Sequence, residues 1–463
     1  MKNQKLILSV GALAMAAPAL VQAAPSKTPN VIYILADDLG YADIGCYGQK
    51  IMATPNLDRM AKGGIQFMQH YAGCTVSAPS RCALMTGKHT GNTHVRGNMG
   101  VDNSDGRVYD TTLPADEITV AELFKQRDYT TACIGKWGLG GPGTEGHPNA
   151  QGFDYFYGYL GQGYAHSYFP LFLHENETEV ELGGKSYSHD LVEDKAMAFI
   201  TENKDNPFFI YLTFTLPHAE LLLPDEYMTK FLDKLGPESP FVNNGGTYSS
   251  QEQPHAAFAA MVERLDVSVG RINDLLKELG IDENTLVIFA SDNGAHEEGG
   301  ADPKYFNSTG IYRGVKRDFY EGGIRVPMIA YWPGVVPAGV QNNEMSTFWD
   351  FMPTVAELIK VKTPACSDGI SILPTLMGKK QKQTHDHLYW EFHEQGGKQC
   401  VRKGDWKLIR FQVKNPNKTY YEMYNLANDP SEKNNVVNQN PELKAELIAI
   451  MDSSRTESEI FVM

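Results

Sequence analysis

The chain of 463 residues predicts an α/β protein, with a large and mostly parallel sheet between helices and a smaller α+β domain after it. Three observations carry this. Short apolar runs alternate with helical patterns over most of the chain, as in a sheet covered on both faces. The runs are apolar at successive positions rather than at every second one, as strands buried on both faces require. After residue 361 the pattern changes to short, closely spaced strands.

The elements follow in order. Val31–Ala36, Thr131–Ile134, Phe208–Thr215, Thr285–Ser291 and Met328–Trp332 read as buried strands. Ser188–Asn203 and Pro254–Leu279 read as helices. The second carries Phe258, Met261, Leu265, Val269, Ile272 and Leu276 at spacings of three and four, which makes one apolar face. Thr347–Val361 reads as a further helix, and the basic, polar stretch Gly378–His387 as a linker. Leu388–Phe392, Gln399–Arg402 and Trp406–Phe411 then read as antiparallel strands, with Glu442–Ser453 as a closing helix. The resulting limits are 1–23 for a leader, 24–377 for the large domain and 378–463 for the small one.

The leader is read from Lys2 and Lys5, the apolar run Leu6–Leu20 and the small-residue site Val21-Gln22-Ala23. It predicts export, most simply to the periplasm of a Gram-negative bacterium. The run is short for a membrane span and lacks a stop-transfer flank, so the mature protein is expected to be soluble. A net charge of −15 with no basic stripe argues against nucleic-acid binding. An anionic ligand would have to be drawn by local cations rather than by the whole surface. The six cysteines lack zinc-like spacing; an exported protein permits disulfides, but no pairing is predicted.

Chemistry is concentrated in short motifs. In Ser77-Ala-Pro-Ser-Arg81 a hydroxyl stands two residues before a proline suited to a helix's first turn. Ser77 would sit at the helix entrance, where free N–H groups favour negative charge, with Arg81 one turn on. Asp37-Asp38 ends the first strand and Asp292-Asn293 a later one, and ligands of such sheets gather beyond the carboxyl ends of strands. These four are hard oxygen donors, which suit Ca²⁺ or Mg²⁺ rather than zinc. Taken singly, each motif is also compatible with an ordinary capped helix or turn.

Together they resemble the sulfatase family. Ser77–Arg81 resembles its small-x-Pro-x-Arg signature, and Asn30–Gly40 resembles its first strand with the metal-binding Asp pair. Gly135-Lys136-Trp137, Pro217-His218, Ser291-Asp292-Asn293-Gly294 and the segment from Gly314-Val-Lys316 to Pro327 follow in family order. Glu422–Leu426 with Asp429-Pro430 closes the series. The resemblance spans about residues 28–437. It implies an alkaline-phosphatase-like fold and the hydrolysis of sulfate esters.

It implies site roles as well. Ser77 would be oxidised to formylglycine by a radical-SAM maturating enzyme, as in serine-type members. Asp37, Asp38, Asp292 and Asn293 would hold an ion, usually calcium in the family and less often magnesium, with Ser77 completing the shell. Arg81 would hold the formylglycine hydrate, and Lys136, His218 and Lys316 would bind the sulfate. The proton for the leaving alkoxide would come from His218 or Lys316, with His218 preferred. The family commonly has histidine after Gly-Lys-Trp; here Gly138 stands there. His166 is the candidate to supply the function, or else the step relies on the metal and lysines.

A sulfated sugar is the expected substrate. Arg96 and Asn98, just past the signature helix, are placed toward it, and so are Glu391 and His393. Strand alternation sets these last two opposite Trp390 and Phe392, which read as packing residues. Two other functions compete: a phosphatase or phosphodiesterase of the alkaline-phosphatase superfamily, and a non-catalytic binder of sulfated glycans. The absence of histidine ligands weighs against the first. Gly138 is the one feature that favours the second.

Overall fold

Ten strands make the large sheet of the computed structural model, which describes residues 28–463. The leader expected at 1–23 lies outside the described residues. In chain order the strands are β1 (Asn30–Ala36), β2 (Ile65–Phe67), β3 (Thr130–Lys136), β4 (Tyr155–Tyr159), β5 (Phe172–Glu175), β6 (Thr178–Glu181), β7 (Phe208–Thr213), β8 (Thr285–Ser291), β9 (Met328–Tyr331) and β10 (Val340–Asn342). Their spatial order is β10-β2-β9-β8-β1-β7-β3-β4-β5-β6. The central run β8-β1-β7-β3-β4 is parallel throughout. Beyond it β9 and β5 join antiparallel.

Alternation along β1 explains why both faces are covered. Ile32, Ile34 and Ala36 face one core, shared with Leu57, Met261 and Leu265 of the helices Pro55–Gly63 and Pro254–Glu278. Val31, Tyr33 and Leu35 face the other, shared with Cys82, Met85 and Met352. Ala36 pairs with Ser291, so β1 and β8 end level and their following residues emerge side by side.

The small domain is a four-stranded antiparallel sheet: β11 (Leu388–Phe392), β12 (Lys398–Lys403), β13 (Trp406–Phe411) and β14 (Tyr420–Asn425). Trp390, Phe392, Cys400 and Ile409 pack on Tyr71, Cys74, Val76 and Ala83 of the large domain. On the opposite face Tyr389, Val401, Leu408 and Met423 meet Leu447 and Met451 of the helix Pro441–Ser453. β14 was not among the expected strands. The expected helix 347–361 starts as a 3-10 turn at Phe348–Asp350 and continues as Phe351–Ile359. All six cysteines are free thiols, and no described helix is long and apolar enough to cross a membrane.

Candidate active site

Four neighbouring parallel strands deliver their following residues to one place. β1 supplies Asp37 and Asp38, β8 supplies Asp292 and Asn293, β3 ends on Lys136, and the segment after β7 carries His218. Backbone bonds continue the register past the strands: Asp292 N donates to Ala36 O (3.0 Å) and Asp37 N to Leu216 O (3.0 Å). Asp38 has φ of +62°, in the left-handed region that non-glycine residues rarely adopt. Its amide donates to Asp292 Oδ1 (3.0 Å). The turn sends Asp37 and Asp38 to different partners. Gly294 is required next door, because a Cβ there would lie 1.9 Å from Gly322 O.

Ser77 opens the helix Ser77–Thr86, whose ten residues are all buried, with Pro79 in its first turn. Its Oγ lies 3.2 Å from Asp37 Oδ1 and 3.5 Å from Lys136 Nζ. Lys136 Nζ is 2.6 Å from Asp37 Oδ2. Arg81 faces the same cluster from behind. Its Nε and Nη2 both reach Asp292 Oδ2 (3.1 and 2.8 Å), Nη1 donates to Lys136 O (2.8 Å), and Asp37 Oδ2 is 3.5 Å from Nη2. Its guanidinium is therefore clamped on the carboxylates. A buried guanidinium takes the carboxylates already beside it.

On the far side Lys316 Nζ lies 2.8 Å from Asp38 Oδ2, 2.9 Å from Glu298 Oε2 and 3.0 Å from His218 Nε2. His218 Nδ1 lies against Ala219 O, and a neutral ring that donates there accepts from Lys316 at Nε2, which also lies 3.3 Å from Asp38 Oδ2 and 3.5 Å from Glu298 Oε2. His218 stacks on His166 (4.6 Å between rings) and on His296 (5.6 Å). Burial, and then the charges of Lys316 and Lys136, push the His218 imidazole well below its ordinary pKa. Burial and Lys136 lower His166 to about 3. Burial would raise Asp38, but Lys316 and His296 outweigh it and bring it to about 2. Burial and the neighbouring Asp37 raise Asp292 to about 6.

The donor set fits a hard divalent cation. Asp37, Asp38 and Asp292 are buried carboxylates; Asp37 and Asp38 bring ligand-type oxygens within 4.8 Å of each other and of a His218 nitrogen, and Asn293 Oδ1 is buried without a hydrogen-bond partner, while its Nδ2 donates to Asp38 Oδ1 (2.6 Å). Arg81, Lys136 and Lys316 already set three cationic side chains against these carboxylates, so the case for a hard cation rests on the all-oxygen donor set and the unpartnered Asn293 Oδ1. Asp38, His296 and Glu298 also bring ligand-type atoms within 4.8 Å of one another, with Lys316 bonded to both carboxylates.

The structure thus unites Asp37, Asp38, Ser77, Arg81, Lys136, His166, His218, Asp292, Asn293 and Lys316. Asn98 is exposed beside the signature helix, its Oδ1 accepting from Ala78 N (3.3 Å). Arg96, Glu391 and His393 do not sit at an open sugar-facing rim as expected. All three are buried. Glu391 accepts from Arg96 Nη1 (3.1 Å), Arg455 Nε (2.8 Å) and Tyr389 OH (2.8 Å), and bonds His393 Nε2 (2.9 Å). Alternation put them opposite Trp390 correctly, but that face is covered by the C-terminal segment, where Thr456 N donates to Gly91 O (3.0 Å). The sequence reading missed Glu298 and His296, which lie on the loop just after Asn293, and Gln162 and Asp110.

Comparison with known proteins agrees with this geometry. The family model described as Sulfatase matches residues 29–361, and that of the N-sulphoglucosamine sulphohydrolase C-terminal region matches residues 310–457. The chain is 30% identical over 515 residues to the N-acetylgalactosamine-6-O-sulfatase of Bacteroides thetaiotaomicron, covering 93% of this chain and 94% of the relative. It is 31% identical over 449 residues to the steryl-sulfatase of Homo sapiens, covering 79% and 72%. The solved structure of Ps i-CgsB in complex with k-i-k-neocarrahexaose superposes with a TM-score of 0.79 at 30% identity, covering 93% of this chain and 94% of that one. The phosphonate monoester hydrolase of Agrobacterium radiobacter shares the fold (TM-score 0.67, 20% identity, 92% and 95% covered). With the signature serine, the acidic cluster and the lysines gathered at one sheet edge, the chain belongs to the sulfatase family and is a sulfuric ester hydrolase.

Proposed function

We propose that this chain is an exported carbohydrate sulfatase, periplasmic in its host, that acts on a sulfated sugar through a formylglycine made from Ser77 and a calcium ion. One observation carries the reading. Ser77 Oγ stands against the Asp37 carboxylate and the Lys136 ammonium at the carboxyl edge of the sheet. The carbohydrate preference is supported by the N-acetylgalactosamine-6-O-sulfatase relative and by the Ps i-CgsB complex with k-i-k-neocarrahexaose, each about as similar as the steryl-sulfatase.

The reaction consumes one water and releases sulfate and the sugar alcohol. A plain serine would be trapped as a stable sulfate ester. Oxidation of the Ser77 side chain by a radical-SAM maturating enzyme gives an aldehyde whose hydrate has a second hydroxyl, through which sulfate is expelled. Asp37, Asp38, Asp292 and Asn293 would hold the cation, which supplies positive charge beside the nucleophile and the sulfuryl oxygens. Arg81 keeps the carboxylates in place from behind. Lys136 and Lys316 bring ammonium groups to the rim of the cluster, where a sulfuryl group finds donors. Lys316 holds the proton for the leaving oxygen, with His218 Nε2 beside it as the relay. We assign the acid role to Lys316 in place of His218, because a His218 ring that donates from Nδ1 to Ala219 O accepts from Lys316 Nζ at Nε2. The test is a panel of defined sulfated monosaccharides assayed with matured enzyme. Release of sulfate from at least one is expected, and none from any would overturn the carbohydrate reading.

A further inference from the structure

The residue after Trp137 is glycine, and another side chain occupies the space in front of it. A Cβ on Gly138 would lie 1.9 Å from Gln162 Nε2, 2.7 Å from its Cδ and 3.0 Å from its Cγ. The approach is built by the backbone. Trp137 N donates to Tyr159 O and Gly138 N to Leu160 O, both at 2.9 Å, extending the β3–β4 pairing past both strands. The next residues therefore fold directly over Gly138. Gln162 N donates to Asp110 Oδ2 at 2.7 Å, which fixes the start of the turn.

Gln162 is only 8% exposed, and its Nε2 is buried with no hydrogen-bond partner. Leaving a buried N–H unmatched is destabilising, and such groups in native structures call for an explanation. The surroundings supply one. Gly138 is two residues from Lys136, whose Nζ faces Ser77 Oγ. Four residues past Gln162, His166 stacks on His218 and has its own Nδ1 buried without a partner. The segment 162–166 thus begins over Gly138, next to the Lys136 segment, and ends on His218, and it carries two unmatched polar atoms.

We propose that the Gln162 carboxamide is a neutral hydrogen-bond donor to the sulfate group of the substrate, beside Lys136; Gly138, whose φ of +78° favours glycine in its own right, leaves the space that the carboxamide fills. The inference rests on the sulfatase reading above. A carboxamide does not titrate near neutrality, so it binds and orients but exchanges no proton. Any proton transfer stays with Lys316, His218 or the nucleophile itself.

The test uses Gln162→Met, which keeps the shape and removes the donor, and Gln162→Glu, which sets a negative charge toward the sulfate. Both are prepared with the maturating enzyme. Gln162→Met should lower kcat/KM on 4-nitrophenyl sulfate by about ten- to hundredfold, the loss expected for one hydrogen bond to a charged group. Its inhibition constant for inorganic sulfate should rise by about tenfold or more. Its melting temperature should stay level or rise, because no internal bond is lost. Gln162→Glu should lose more activity than Gln162→Met. Wild-type kcat/KM and sulfate inhibition in Gln162→Met would overturn the proposal. So would an activity loss matched by a fall in melting temperature with sulfate affinity unchanged, since that marks a packing role. Failure of the sulfatase reading looks different: matured wild type would cleave no sulfate ester. Sulfate binding measured calorimetrically on wild type and both variants still decides the role of Gln162 in that case.

Discussion

Ser77 Oγ faces Asp37 Oδ1 across 3.2 Å, although the two residues are forty positions apart. One opens a buried helix and the other ends the central strand, so neither can shift without moving a core element. A hydroxyl held this way is set for chemistry at a single atom. Native protein should carry Ser77 two hydrogens lighter than encoded, read by mass spectrometry of the peptide containing it. Protein made without the maturating enzyme should keep the full mass and turn over at least about a thousandfold more slowly. Full activity with unmodified serine would point to a phosphatase-like nucleophile instead.

The acidic cluster makes a second prediction. Asp37 and Asp292 share Arg81, and Asp292 is raised to about 6 by burial and by Asp37. A cation relieves that repulsion; without one, the carboxylates have only Arg81 and the two lysines. Chelation should abolish activity, and calcium should restore it. Asp37→Ala and Asp292→Ala should each lose bound calcium and at least about a hundredfold in kcat/KM. Elemental analysis showing normal calcium in both variants would remove the site.

Much of this arrangement is legible in the chain because strands buried on both faces are continuous apolar runs. The ends of Val31–Ala36 and Thr285–Ser291 are marked by abrupt acidic residues, and parallel neighbours in one sheet bring such ends together. Strand ends place Asp37, Asp38, Asp292 and Asn293 near one another, but each pair alone also fits an ordinary turn, and the family pattern is what marked them as ligands. Lys136 and Lys316 needed the family pattern, since a lysine after a strand is usually solvated. Glu298 and Gln162 were not legible. Each sits in a loop whose path is set by tertiary contacts, Glu298 by Lys316 and Gln162 by Asp110 and the β3–β4 extension. Glu391 shows the converse: alternation named its face correctly but not the C-terminal segment that covers it.

Glu391 makes the third prediction, and it concerns stability rather than sugar choice. Burial alone would raise its carboxyl, but hydrogen bonds from His393 and Arg455 and the charge of Arg96 outweigh that and hold it at about 2, against an ordinary 4.5. The folded pKa is the depressed one. The stabilisation is therefore present above pH 4.5 and is lost as pH falls from there toward 2. Full development amounts to about 3 kcal/mol. Glu391→Gln should melt below wild type at pH 7, and the gap should narrow as pH drops below 4.5. A gap independent of pH would show that the carboxylate's charge contributes nothing. Because Glu391 is enclosed, the variant should keep its ranking among sulfated sugars.

The last prediction separates Lys316 from His218. A neutral His218 that donates from Nδ1 to Ala219 O accepts at Nε2 from Lys316 Nζ, 3.0 Å away, and in that form has no proton there to give. If Lys316 is the source of the proton for the leaving oxygen, its removal must hurt poor leaving groups most, because a sugar alkoxide needs protonation and a nitrophenolate does not. Lys316→Ala should lose about a hundredfold or more on a sugar sulfate beyond its loss on 4-nitrophenyl sulfate. His218→Ala should show the same direction with a smaller difference, since a water can replace a relay but not the acid. The quantity to measure is the ratio of kcat/KM on the two substrates in each variant. Equal losses on both substrates for Lys316→Ala would confine that lysine to binding the sulfate. A larger leaving-group effect in His218→Ala than in Lys316→Ala would return the acid role to the histidine.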